Sequence, residues 1–187
     1  MRRLLSAFTG REPEAVVIEA EANGKPRLPG HSGSLRFNLA HSEDRALYAF
    51  TREADIGIDF EDLGHESRIT DLVRSICAAS EISRIERLEE SRKSRALIRL
   101  WTAKEAFLKA TGTGLQVAPD RLEISAEILG GSKEPARVHW IDALDISSRF
   151  TLYPLPQCEE KWGGSAAVCV GGKCDAPRFR WITAPEI

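Results

Sequence analysis

Ile56-Gly57-Ile58-Asp59-Phe60-Glu61 reads as a β-strand with two unlike faces. Successive side chains of a strand point to opposite sides, so Ile56, Ile58 and Phe60 share one face while Gly57, Asp59 and Glu61 share the other. The two carboxylates then stand about 7 Å apart along the strand, a spacing that lets them converge on one cation. Gly57 leaves room on that face for something bulky to approach the backbone. The plainer interpretation is a strand end with ordinary surface acids, and six residues alone do not choose between the two.

Downstream, residues 93–110 form the clearest helix, stopped by Gly112 and Gly114. Its apolar stripe runs through Leu97, Leu100, Trp101, Phe107 and Leu108, which makes it core-facing. Lys104 falls on that stripe, where an apolar residue is expected. Glu105 follows it, one turn after Trp101 and one turn before Lys109. Charges are rarely placed on a core stripe without partners. Either Lys104 snorkels and Glu105 pairs with Lys109, or this turn faces a buried anion and its metal. Between strand and helix, residues 66–78 and 80–91 carry helical spacing, with Ser80 as N-cap and Glu81 in the first turn.

The flanks are mainly β. Residues 1–20 predict a short helix and then a strand built on Val16–Ile18, followed by turn chemistry at Asn23-Gly24-Lys25-Pro26. Residues 28–34 form an irregular loop. Leu35–Ala40 alternates like a half-buried strand, and Ala46–Thr51 and Ala54–Phe60 are strands as well. Past the helix, Leu122–Ile128, Arg137–Ile141, Phe150–Leu155, Ala166–Val170 and Phe179–Ile182 are short strand candidates separated by Gly, Pro and Ser. Strands, then helices, then strands suit an α+β fold of two related halves.

The chain has 187 residues, 42% hydrophobic and 29% charged, so it is globular rather than disordered. A formal net charge of −2 offers no positive field to recruit nucleic acid. No apolar run is long enough for a membrane span or a secretory signal, and the expected location is the cytoplasm. Cys77, Cys158, Cys169 and Cys174 have neither zinc spacing nor nearby histidine ligands and are expected as free thiols. Arg84, Arg87, Arg92, Lys93, Arg95 and Arg99 crowd one segment, as a solvated helix face or a surface for an acidic partner.

Taken together, four segments resemble a known family. They are Asn-Gly-Lys-Pro at 23–26, Phe-Asn-Leu-Ala-His-Ser at 37–42, the hexapeptide at 56–61, and Trp-Thr-Ala-Lys-Glu-Ala-Phe-Leu-Lys-Ala-Thr-Gly-Thr-Gly-Leu at 101–115. In order and spacing they resemble the 4′-phosphopantetheinyl transferases, more narrowly the pseudo-dimeric type that activates surfactin synthetase. The resemblance runs from about Asn23 to Leu115.

It implies a fold of two pseudo-twofold-related halves, about 1–60 and 61–187, each a small, mainly antiparallel sheet with helices and the active site between them. It also implies a reaction in which the phosphopantetheine arm of coenzyme A moves to a serine of an acyl or peptidyl carrier protein. Adenosine 3′,5′-bisphosphate is released. Attack on a diphosphate needs charge neutralisation and positioning more than covalent chemistry, and Mg²⁺ (or Mn²⁺ in its place) suits it. By the resemblance Asp59, Glu61 and Glu105 hold the metal, Glu105 is also the base for the serine, and Lys109 assists at the phosphates. Lys25, His41, Lys104 and Lys109 contact coenzyme A. His31, His65 and His139 match nothing and read as structural.

Ala40 replaces the serine that usually precedes the histidine, and the N-terminal half is expected to be shortened relative to larger members. A monomer is expected, engaged in fatty-acid, polyketide or nonribosomal-peptide biosynthesis, without nucleic-acid or membrane partners. The rival classes are a metal-dependent phosphodiesterase, which would want a basic groove, and a catalytically impaired carrier-binding module.

Overall fold

A computed structural model describes residues 1–21, 23–30, 35–65, 73–142, 146–172, 178 and 180. In chain order its elements are α1 (Arg2–Thr9), β1 (Glu19–Ala20), β2 (Pro26–Arg27), β3 (Leu35–Ser42), β4 (Arg45–Arg52), β5 (Ile56–Asp62), α2 (Val73–Ile76), α3 (Ala79–Glu86), α4 (Glu90–Thr111), β6 (Leu122–Ile124), β7 (Val138–Trp140), β8 (Phe150–Pro154), α5 (Pro156–Trp162) and β9 (Gly164–Gly171). The architecture is α+β, built on small antiparallel sheets. Strands pair as β1–β2, β3–β4, β5–β9–β8 and β6–β7. Among the described residues no helix is long and apolar enough to cross a membrane.

The alternation in the hexapeptide decides what lies on each side of the main sheet. Ile56, Ile58 and Phe60 pack with Ala40, Leu47 and Ala49 of the β3–β4 hairpin and with Val168 and Val170 of β9. The opposite face of the sheet, including Ala167, Cys169 and Leu152, packs with α4. At Gly57 helix and strand come so close that an added Cβ would lie 2.2 Å from the Ala106 carbonyl oxygen and 2.3 Å from the Ala110 nitrogen. The bulky object for which Gly57 leaves room is thus the protein's own helix. That close approach puts the helix against the strand face carrying Asp59 and Glu61.

The hairpin meets β5 without a backbone ladder. Instead Ile58 N donates to Asn38 Oδ1 at 2.9 Å, Asp62 N donates to Ser42 Oγ at 3.3 Å, and Arg45 donates to Asp62 Oδ2 at 2.9 Å. The opening segment is tied down, because Leu5 is fully buried in a cluster with Val16 and Phe37.

Several sequence expectations shift. The strand expected at Val16–Ile18 forms instead at Glu19–Ala20, where it pairs with β2 across the Asn-Gly turn. The strand at Leu122–Ile128 stops at Ile124, and residues 126–130 turn into a 3₁₀ helix. Helix α3 begins at Ala79 rather than after Ser80. Its free Ala78 N–H donates to Glu81 Oε2 at 2.8 Å, while the Ser80 hydroxyl donates to Glu123. Helix α5 was not expected, although Pro156 in its first turn and Gly163 at a left-handed C-cap are ordinary helix punctuation.

Helix α4 is not one-sided either. Ala96, Ile98, Thr102, Ala103, Ala106 and Ala110 are buried along with Leu97, Leu100, Phe107 and Leu108 of the expected stripe, and Trp101 is half-buried, so the helix is enclosed on most of its circumference. Cys77, Cys158 and Cys169 are free, buried thiols. Cys174, His31 and Gly33, residues 66–72 of the first expected helix and most of the strand at Phe179–Ile182 lie outside the described residues, as does the His65 side chain.

Candidate functional site

Asp59, Glu61, Glu105 and Lys109 come together where α4 crosses β5. Lys109 and Glu105 lie one helical turn apart on α4, and Asp59 and Glu61 lie on the β5 face opposite them. The Lys109 ammonium donates to Asp59 Oδ1 at 2.6 Å. The Trp101 indole N–H donates to Glu61 Oε1 at 3.1 Å. Asp59 is only 5% exposed. Two carboxylate oxygens of the group, Asp59 Oδ2 and Glu105 Oε1, are buried with no hydrogen-bond partner. An orphaned buried carboxylate oxygen is costly unless a proton or a cation completes it.

The electrostatics agree with that. Burial, joined by the neighbouring Glu61 and Glu105 charges, pushes the Asp59 carboxyl up to about 7 against the pull of Lys109. Glu105 is also raised by burial, with Lys109 opposing and Glu61 reinforcing the shift. Folded Asp59 therefore keeps a proton that the unfolded chain releases at 3.8, so its contribution to stability declines as pH rises from there to about 7 and then levels off. Asp59→Asn is expected to flatten this part of the melting-temperature profile of the metal-free protein, and to raise its melting temperature at pH 8. Parallel profiles for the two proteins, from thermal melts across that range, would contradict the burial argument.

Lys104 stands apart from this group. Fully buried, its ammonium donates to Glu81 Oε2 at 2.5 Å and lies within 2.7–2.9 Å of the backbone carbonyls of Ile76, Pro119 and Leu122. Glu81 Oε1 accepts from Ile124 N at 2.7 Å. Snorkelling does not account for the lysine on the stripe; its buried anion is the protein's own Glu81 carboxylate, not a bound phosphate with its metal. One turn of α4 presents Glu105 to the sheet and Lys104 to the opposite layer, because successive helical residues are rotated by about 100°. The expected coenzyme A contact at Lys104 is thus corrected to an internal ion pair.

Lys25 sits at the C-terminal end of α4. Its ammonium donates to the Ala110 carbonyl at 3.3 Å, and Asn23 Nδ2 donates to the Gly112 carbonyl at 2.8 Å. These are carbonyls that a helix end leaves without internal partners. Burial lowers the Lys25 pKa, and the carboxylates offsetting this are Asp55 and Glu21 rather than the Asp59 group. His41 is exposed on β3 opposite Ala46, and no described contact joins it to the carboxylates. Among the described residues, no three carboxylate, imidazole or thiolate groups are already gathered closely enough to hold a metal ion. The three carboxylates nevertheless offer the hard oxygen donors that Mg²⁺ or Mn²⁺ takes, and two of those oxygens are unsatisfied.

Trp101 and Glu81 are the partners that sequence reasoning did not supply. Trp101 had a signal in its one-turn spacing from Glu105. Glu81 had only its place in a first helical turn. In the arginine-rich segment, Arg84 is spent on Glu123 and the Ile124 carbonyl, and Arg99 on Glu159 and the Leu129 carbonyl. Arg87, Arg92 and Arg95 are exposed.

Residues 55–152 match the family model described as the 4′-phosphopantetheinyl transferase superfamily. The chain is 34% identical over 181 residues to the 4′-phosphopantetheinyl transferase HetI of Nostoc sp. PCC 7120, covering 96% of this chain and 70% of that protein. It is 31% identical over 120 residues to the 4′-phosphopantetheinyl transferase psf-1 of Bacillus pumilus, covering 62% of this chain and 48% of the other. Among solved structures, it resembles the Thermotoga maritima holo-[acyl-carrier-protein] synthase with a TM-score of 0.47 and 20% identity, over 64% of each chain.

Proposed function

Because the chain belongs to the 4′-phosphopantetheinyl transferase superfamily and is a transferase, we propose that it moves the 4′-phosphopantetheine of coenzyme A to a carrier-protein serine and releases adenosine 3′,5′-bisphosphate. The observation that carries this reading is the face shared by Asp59, Glu61, Glu105 and Lys109, with its two unpartnered buried oxygens. Asp59, Glu61 and Glu105 would hold Mg²⁺, or Mn²⁺ in its place. Bound there, the ion would neutralise and polarise the diphosphate.

This chain's own groups do the rest. Glu105, whose basicity burial increases, takes the serine proton, directly or through a water. The serine oxygen then bonds to the β-phosphorus as the bond to the bridging oxygen breaks. Lys109 turns from Asp59 to the phosphates and stabilises the charge that develops on the leaving oxygen. Lys25, released from the helix end, and His41 supply contacts to the nucleotide phosphates. In this reading one transferase domain spans 1–187, with Lys25 and His41 contributed by the half up to about residue 60 and Glu105 and Lys109 by the half after it. We assign the work to a cytoplasmic monomer in fatty-acid, polyketide or nonribosomal-peptide biosynthesis.

The carrier protein docks against Arg87, Arg92 and Arg95, the exposed arginines of the arginine-rich segment. Arg92→Glu is expected to raise the KM for an acidic carrier severalfold with coenzyme A binding unchanged. Added salt should then weaken the wild type more than the variant. Identical salt dependence in steady-state assays would return these arginines to the role of a solvated face.

The reading is tested by chromatographic detection of adenosine 3′,5′-bisphosphate from coenzyme A with a panel of apo-carrier proteins. Release that needs both carrier and Mg²⁺ is the expected result. Cleavage of coenzyme A without a carrier would mean a phosphodiesterase. No release with any carrier would mean a binding module.

A further inference from the structure

Glu61, like Asp59, has one oxygen already held, but its donor is a neutral indole rather than the Lys109 ammonium. The Trp101 N–H that donates to Glu61 Oε1 at 3.1 Å belongs to a side chain packed against the core around α4. An indole has a single donor and two torsions, so a packed Trp101 presents that donor from a fixed point. With Oε1 held, Glu61 keeps Oε2 for a shared cation. Asp59 and Glu105 likewise have one oxygen each without a donor. A long carboxylate at the end of a strand would otherwise sample several rotamers, each of which a cation would have to select against.

We propose that Trp101 is a positioning residue for the divalent cation: it orients Glu61 from behind, as outer hydrogen-bond partners orient metal ligands generally. The inference rests on the metal reading of the preceding section and adds a residue that touches neither cation nor substrate.

The test measures Mn²⁺ binding, without turnover, from the paramagnetic resonance signal of the free ion. Trp101→Phe keeps the aromatic packing and removes the donor. It is expected to weaken Mn²⁺ binding about 10–100-fold. In a Glu61→Gln background, whose own affinity is already reduced, adding Trp101→Phe should change nothing further, since the group being oriented is no longer a metal-binding carboxylate. Should Trp101→Phe fold poorly, β-(3-benzothienyl)alanine at position 101 replaces the indole N–H with sulfur at nearly constant shape and keeps the same expectation. Mn²⁺ affinity equal to wild type in either variant would overturn the role of Trp101 while leaving the metal site standing. An equal loss with or without Glu61→Gln would also overturn it, because the effect would then be general loosening. A wild-type protein that binds no Mn²⁺ would overturn the metal reading itself, and this inference with it.

Discussion

Glu105→Gln is expected to lower kcat for phosphopantetheinyl transfer by about 10²–10⁴-fold, the contribution of a positioned general base alone, and further insofar as a metal ligand is lost. The substitution keeps the shape of the side chain. It also removes a charge whose burial already raises its pKa, and leaves an amide where an oxygen had no partner. Folding should therefore be unaffected, with a melting temperature at pH 8 no lower than wild type. A variant that folds and turns over within about tenfold of wild type would remove Glu105 from both of its proposed roles. Burst and steady-state measurements at saturating Mg²⁺ and coenzyme A make the comparison.

Lys104→Met should act on stability instead. It strips the only ammonium from a pocket of four oxygens, leaving the Glu81 carboxylate buried beside the carbonyls of Ile76, Pro119 and Leu122. Removing one partner of a buried pair typically costs about 3–5 kcal/mol, a large part of the stability of a domain this size. Glu81→Gln added to Lys104→Met should recover part of the loss, since the stranded charge goes while the bonds accepted from Ala78 N and Ile124 N are retained by the amide oxygen only in part. Denaturant midpoints of the two variants decide it. A loss below about 1 kcal/mol for Lys104→Met would show that water enters the pocket and that the pair does not bind the layers together.

How far the sequence carried can be seen at these two adjacent positions. Period-2 alternation put Gly57, Asp59 and Glu61 on one face, and the structure has that face against α4. One-turn spacing put Glu105 and Lys109 on one side of α4, and they do meet Asp59 there. Local patterns of that kind depend only on backbone geometry, which is why they were readable. Lys104 was not, because the stripe argument assumes a helix with one wet side. Helix α4 has apolar layers on opposite sides, and its charged residues are sorted by which layer holds a counter-charge, Asp59 for Lys109 and Glu81 for Lys104. That sorting is set by residues twenty or more positions away and leaves no local trace.

The same holds for Lys25. Its Gly-Lys-Pro turn was legible as a turn, but its docking on the end of α4 is a tertiary contact across the whole first half of the chain. The short elements failed for a different reason. Three residues of strand or one turn of 3₁₀ helix, as at 122–130, carry too few side chains for a period to show.

The most direct measurement is the intact mass of an apo-carrier protein after incubation with this protein, coenzyme A and Mg²⁺. A gain of one phosphopantetheinyl group is predicted. It should be absent when the acceptor serine is replaced by alanine, absent with a chelator, and absent with Glu105→Gln over the same interval. Carrier masses that stay unchanged across fatty-acid, polyketide and peptide-synthetase carriers, with folded protein and Mg²⁺ present, would contradict the assignment of transfer to the Asp59–Glu61–Glu105–Lys109 face.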